Sequence, residues 1–241
     1  MTIKELRIRY KNTFFGFLWI ILNPITQMLV IGFVFKFFIR EHIENYFLYL
    51  LVGLLVWNFF NLSLSKSTPS IVYERQLVKK AKFPNEVIPL SIILSNFIHF
   101  IAALILLSIS IVFLGILTNY NFLSLILGVV LLLVFTSGLS LLTCSLNVRF
   151  RDTNFIVQAM LIVWFYATPI VYSINVIPYK LMWIWRLNPL TSIVQLFQNA
   201  LVSSPPPELK TLISNVVVIV LVMFLGVQIF KKNDKNFDDW L

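Results

Sequence analysis

Phe122-Leu-Ser-Leu-Ile-Leu-Gly-Val-Val-Leu-Leu-Leu-Val-Phe-Thr-Ser-Gly-Leu-Ser-Leu-Leu-Thr-Cys-Ser-Leu146 carries no charged side chain over its whole length. A helix rises about 1.5 Å per residue, so about 20 apolar residues cross a hydrocarbon layer roughly 30 Å thick. This stretch is long enough to do so. Five more blocks of the same kind surround it: Phe14–Phe38, Tyr46–Leu64, Val87–Leu117, Phe155–Tyr172 and Leu212–Phe230. The chain has 241 residues, 59% hydrophobic and 12% charged, with a mean hydropathy of +0.89. A water-soluble surface needs roughly twice that charge. These numbers exclude a soluble enzyme or binding domain, and equally a disordered or fibrous chain. They predict an all-α polytopic membrane protein with six transmembrane helices. Val87–Leu117 exceeds the need and should tilt or protrude.

Loop charge sets the expected orientation. Lys4, Arg7, Arg9 and Lys11 precede the first block, and Lys66, Arg75, Lys79, Lys80 and Lys82 follow the second. Arg149 and Arg151 follow the fourth, and Lys231, Lys232 and Lys235 close the chain. The opposite side holds only Lys36, Arg40, Lys180, Arg186 and Lys210. Basic loops stay in the cytoplasm, so both termini of this multi-pass protein are expected there. The net charge of +9 then reflects topology and anionic headgroups rather than nucleic acid. The single cysteine, Cys144, lies inside an apolar block and reads as packing.

The spans lack what ion coupling requires. Intramembrane charge is expensive and usually kept for function, yet the six blocks contain no Asp or Glu. Lys36 lies near a helix end, where it can snorkel. His99 sits well inside the third block and is expected to be a neutral histidine bonded to a neighbouring helix. With only His42 besides, no metal site is expected. No G-x-x-x-x-G-K-[ST] pattern occurs, so ATP hydrolysis by that motif is excluded, and no G-x-x-x-G pattern marks a close-packed helix pair. If the chain moves a solute, the energy should come from another subunit.

Three segments outside the spans carry information. Residues 1–13 place Ile3, Leu6 and Tyr10 on one helical face and the basic residues mostly on the other, an amphipathic interface helix preceding a membrane domain over 14–241. Ile71–Lys80 reads as one short cytoplasmic helix of mixed charge with exposed apolar side chains, ended by Phe83-Pro84. Such a knob suits a groove on a soluble partner, and a solvated basic loop is the plainer alternative. Asn147–Asp152 brings Arg149, Arg151 and Asp152 into a tight turn that an ion pair could brace. On the far side, Tyr179–Trp185 is too short to span and reads as a re-entrant or interfacial helix. A second short helix over about Leu190–Val202 follows, with Pro189 in its first turn. Capping a pathway and anchoring in lipid by tryptophan remain equal readings of this segment. The aromatic side chains crowding the first and fifth blocks are open in the same way, between lipid-facing rings and a surface for amphipathic cargo.

Several of these stretches together resemble the polysaccharide-exporting permeases of the ABC-2 type, which handle O-antigen, capsular glycans and teichoic acid. Arg9-Tyr-Lys-Asn-Thr-Phe-Phe-Gly-Phe-Leu-Trp19 and Leu22-Asn-Pro24 resemble the start of that family. Leu77-Val-Lys-Lys-Ala-Lys-Phe-Pro84, Ile88-Pro89, Arg151-Asp152, Tyr166-Ala-Thr-Pro-Ile-Val-Tyr172 and Leu187-Asn-Pro-Leu190 continue the likeness in order. The resemblance implies a homodimer with two copies of a separate ATPase, which holds the ATP and magnesium. The cargo would be a glycan on an undecaprenyl diphosphate carrier. It also implies roles. Tyr73, Glu74, Arg75, Leu77, Lys79, Lys80 and Phe83 would couple to the ATPase. Phe17, Trp19, Phe33, Phe37, Trp164, Tyr166 and Tyr172 would line the pathway. Tyr179, Trp183, Trp185, Asn188 and Pro189 would form an outer gate. Arg7, Arg9 and Lys11, at the membrane entry, are the expected holders of the carrier diphosphate. The chain itself is expected to be no enzyme and to bind no cofactor. An ABC-2 exporter of drugs or lipids, or of teichoic acid, is the nearest alternative to an O-antigen exporter, and an ion-coupled carrier or channel the alternative of another class.

Overall fold

The computed structural model describes Thr2 and residues 19–38, 43, 45–80, 83–113, 115 and 121–240. For Ile20, Ile21, Lys36, Phe37, Phe38, Tyr179, Asp238 and Asp239 it describes the backbone alone. The expected interface helix over 1–13, with Arg7, Arg9 and Lys11, lies outside the described residues, as does Phe17.

Among the described residues the chain is all helix and turn, with no strand. The long elements are α1 (Trp19–Phe38), α2 (Tyr46–Ser67), α5 (Val87–Phe113), α6 (Phe122–Arg149), α7 (Asp152–Tyr166) and α10 (Leu209–Asp234). Between α2 and α5 lie α3 (Ser70–Tyr73) and α4 (Arg75–Lys80). Between α7 and α10 lie two 3₁₀ turns (Ile174–Val176 and Tyr179–Leu181), α8 (Met182–Leu187) and α9 (Pro189–Val202). The short α11 (Phe237–Trp240) closes the chain. Among the described residues four helices, α2, α5, α6 and α10, are long and apolar enough to cross a membrane. On α10 the exposed side chains Ile213, Val217, Val220, Leu221 and Phe224 recur at helical spacing, an apolar stripe that only lipid or another protein could cover.

Several boundaries depart from the sequence reading. The helices α2, α6 and α10 run past Leu64, Leu146 and Phe230 by about a turn, because polar residues at a helix end need not stop it once the end leaves the hydrocarbon. The fifth block does not form one helix to Tyr172. Its helix starts earlier, at Asp152, and ends at Tyr166, only 15 residues or about 22 Å long. Pro169 has no amide hydrogen to continue the ladder, and the residue before a proline is pushed out of the helical region. The expected single helix over Ile71–Lys80 is broken in two at Glu74 (φ −95°, ψ 24°), which forms an elbow. Nor is the turn at Arg149–Asp152 braced by an ion pair among the described residues. Phe150 is extended (φ −123°, ψ 102°), and the Arg149 guanidinium lies over the Phe150 and Trp240 rings at 5.0 and 5.6 Å.

The core forms around α2, α9 and the inner faces of α5 and α6. Leu50, Leu54, Phe60, Phe135, Ile193 and Phe197 are sealed within it. Phe60 stacks on Phe135 at 5.6 Å, and both meet the edge of Trp164. Lipid is as apolar as leucine, so burial alone cannot hold these helices together; close packing and interhelical hydrogen bonds must. Asn96 of α5 donates to Ser63 of α2 (3.2 Å), Thr68 and Thr143 share a hydrogen bond (3.0 Å), and Asn215 of α10 donates to Ser192 of α9 (2.6 Å). The most extensive contact joins α6 to α10. It is possible because Gly138 faces Gly226: a Cβ on Gly226 would collide with the Gly138 carbonyl, and one on Gly138 would stand 2.5 Å from Met223 Cα. Two lone glycines on different helices thus do what no G-x-x-x-G pattern signalled.

Candidate functional site: two ends of the bundle and the groove between them

At one end, the loop after α7 is held from three sides. Asn188 is buried and uses all of its hydrogen-bonding capacity on local groups. Its Nδ2 donates to Ala167 O and Thr168 Oγ1, both at 3.0 Å. Its Oδ1 accepts from Trp164 Nε1 at 2.8 Å and from the Leu190 amide at 3.1 Å. The last bond caps α9, whose first residue is Pro189, where the missing amide hydrogen costs nothing. Two tyrosines at the start of α2 hold the same loop: Tyr46 donates to Val171 O (3.0 Å), and Tyr49 donates to Tyr172 O (3.3 Å). Tyr172 in turn donates to Tyr166 O (2.7 Å) and accepts from Trp185 Nε1 (2.8 Å). A cavity of about 520 Å³ opens beside this clamp, with Ser173, Asn175, Arg186, Gln195, Gln198 and Glu208 among its lining. Arg186 and Glu208 form an ion pair at 2.9 Å on its exposed rim, where such a pair contributes little stability.

At the opposite end, the α3–α4 elbow stands on a small core of its own. Ile71 and Val78 are buried with Ile88, Leu141, Cys144, Val148, Phe230 and Phe237, and Phe83 and Trp240 pack at its edge. Sequence reading left these apolar side chains exposed. The turn at Glu74 instead lets α3 and α4 each aim one of them inward. What remains outside is Tyr73, at 76% exposure, with Arg75, Lys79 and Lys80, while Glu74, Leu77 and Phe83 are half-buried. The elbow therefore presents one large aromatic ring amid positive charge, a composition suited to a partner's groove.

Between the ends, a groove of about 560 Å³ runs along α1, α2 and α7. Among the described residues its lining includes four carboxamides, Gln27, Asn58, Asn61 and Gln158. Its rings are Trp57, Phe165 and Tyr166.

Residues 1–202 match the description "ABC-2 type transporter" among protein families. The chain belongs to the ABC-2 type transporter family. Full-length likenesses add to this. The chain is 33% identical to an O-antigen export system permease protein RfbA of Klebsiella pneumoniae, over 100% of this chain and 93% of that protein. It is 31% identical to the protein of the same name from Myxococcus xanthus (97% and 91% covered). It is 23% identical to the polysialic acid transport protein KpsM of Escherichia coli (97% and 92% covered).

Within this ABC-2 transporter chain, the residues expected along a pathway are dispersed. Tyr166 lines the groove. Trp164 turns into the core against Phe60 and Phe135, and Tyr172 bonds within the clamp. Trp19 is half-exposed and Phe33 exposed on α1, while Phe17 and the Phe37 side chain lie outside the described residues. Of the expected gate residues, Asn188 and Pro189 are buried and Trp185 is bound to Tyr172. Trp183 is exposed at 60%, and the Tyr179 side chain is not described. His99 is buried on α5 and lines none of these cavities. Sequence reading missed the carboxamides of the ABC-2 groove. A signal was present: Asn58, Asn61 and Ser65 recur at i, i+3 and i+7 within an apolar span, which puts them on one face.

Proposed function

We propose that this chain is the permease subunit of an ATP-driven exporter of polysaccharide carried on undecaprenyl diphosphate, with O-antigen the leading cargo. The observation that carries this reading is the likeness to O-antigen export permeases through the entire chain rather than in a local motif. In this reading the chain works as a homodimer in the inner membrane with two ATPase subunits, which bind ATP and magnesium. Six segments cross the membrane with both termini and the elbow in the cytoplasm, in keeping with the distribution of basic residues. ATP closes the ATPase dimer, the elbows move, and the two permeases part. The helices α8 and α9 with the clamp beneath them act as the outer gate. Arg7, Arg9 and Lys11 hold the carrier diphosphate, and replacing all three by glutamine should reduce retention of the carrier lipid about tenfold.

The test is a strain lacking this chain. Carrier-linked glycan should build up on the cytoplasmic side while the surface glycan disappears. Normal surface glycan with no backlog would give the place to an exporter of drugs or lipids. A separate expectation concerns the elbow. Tyr73 is so exposed that its replacement should hardly affect folding. Tyr73→Asp should leave the amount of chain in the membrane unchanged yet reduce co-purification of the ATPase at least tenfold, the effect of losing an aromatic anchor.

A further inference from the structure

Carboxamides are an unusual lining for a membrane groove, and the hydrogen bonds these ones make are distinctive. Asn58 Nδ2 donates to Gln27 Oε1 at 2.9 Å, and Gln27 Nε2 donates to Asn23 Oδ1 at 3.3 Å. Further along α2, Ser65 Oγ lies 3.4 Å from Asn61 Oδ1 on its own helix and 3.4 Å from Gln158 Oε1 on α7, and its single proton serves one of them at a time. In hydrocarbon these polar groups must find partners, and here they find one another. Three of the four bonds are long, so they are weak and readily exchanged. None of the groups is charged, and each amide offers both donor and acceptor, which matches a neutral polyol better than an ion or a lipid tail. The rings of Phe165 and Tyr166 stand beside them, backed by the buried Trp57, and supply faces for the apolar side of a sugar. Toward the elbow the groove meets a second cavity, of about 340 Å³. Gln158 borders both; Ser65, Ser70, Ser91 and Asn154 continue the neutral polar lining, and Lys66 and Glu74 add charge only there, at the base of α3.

We infer that Gln27, Asn58, Asn61 and Gln158 form a track that binds the hydroxyl groups of the glycan, and that the bonds of Gln27 to Asn58 and of Ser65 to Asn61 or Gln158 occupy these amides when no glycan is present. The inference rests on the export reading and specifies where in the chain the sugar is held. Glycan hydroxyls exchange with these bonds one at a time. Movement along the track therefore requires no strong bond to break, and the sugar sequence need not be read.

Two measurements on the complete permease–ATPase complex in cells test it. A photoreactive p-benzoylphenylalanine at Asn61 or Gln158 should crosslink to glycan, giving adducts of graded size, in cells that synthesise the polymer. It should give none in cells lacking the initiating glycosyltransferase. The same probe at Val217, on the exposed stripe of α10, should yield no glycan adduct. Adducts only with lipid, or only with a second copy of the chain, would overturn the track. The second measurement replaces the amides without bulk. Asn61→Leu and Gln158→Leu should each slow export about fivefold with chain abundance and ATPase association unchanged, and Asn61→Gln should restore most of the rate. Wild-type export by the leucine variants would sink the track alone, since the deletion strain would still show a carrier-linked backlog. A deletion strain without that backlog would remove the export reading and this inference together.

Discussion

Gly226→Val should leave almost no folded chain in the membrane. Here the backbone of α10 lies against that of α6, and a Cβ on Gly226 would meet the Gly138 carbonyl rather than a side chain that can swing aside. Overpacking a tight core costs about 1–3 kcal/mol where side chains can yield. Two helix backbones can yield only by separating along their length, and α6 and α10 share the most extensive contact in the bundle. The cost should therefore exceed that range, a large share of the whole stability of about 5–15 kcal/mol. The check is the abundance of monodisperse chain after mild detergent extraction. A value below about a tenth of wild type is expected for Gly226→Val, with a clear deficit already at Gly226→Ala. The neighbouring Leu225→Ala, at an exposed position, should behave like wild type. Normal abundance of Gly226→Val would mean that α6 and α10 do not approach as described.

Asn188→Leu should be the second most damaging single change, for a chemical rather than a steric reason. One side chain satisfies Trp164 Nε1, the Leu190 amide, Ala167 O and Thr168 Oγ1. Leucine is nearly the same size but leaves all four without that partner, and an unsatisfied buried group costs about 1–3 kcal/mol. Some will relax onto other partners, so the net loss should be about 3 kcal/mol, or roughly 6–12 °C in Tm for a chain of this size. Asn188→Ser keeps an oxygen for the Leu190 amide and should fall between the two. The loop over residues 167–172 should become accessible to protease in the leucine variant while the long helices stay protected. Equal Tm values for the three proteins would show that Asn188 is not the hub of the clamp.

The contrast between these two positions shows what a one-dimensional reading could reach. The helices α2, α5, α6 and α10 were legible because crossing hydrocarbon demands length and apolarity, both of which are local properties. Pro189 was legible as a helix start, for the same local reason. The end of α7 was misjudged because hydrophobicity continues to Tyr172, whereas the chain turns at Pro169 under the hold of Asn188, Tyr46 and Tyr49. Gly138 and Gly226 belong to helices whose sequences say nothing of each other. The elbow at Glu74 was hidden because Ile71 and Val78 suit one continuous helix as well as two short ones. The amides of the groove showed a pattern on α2, but Gln27 and Gln158 come from other helices and only folding brings them to the same face.

The helix α2 is 22 residues long, contains no proline, and runs from the tyrosines of the clamp to the elbow. That makes it a stiff lever about 33 Å in length, with the groove amides partway along it. Pivoting such a rod by about 5° at the elbow displaces its far tip by about 3 Å. A single hydrogen bond spans about that distance, so the bonds from Tyr46 and Tyr49 would break or form with a tilt of that size. A push of molecular size at the elbow would thus arrive at the clamp as a latch released, with α2 as a direct mechanical link.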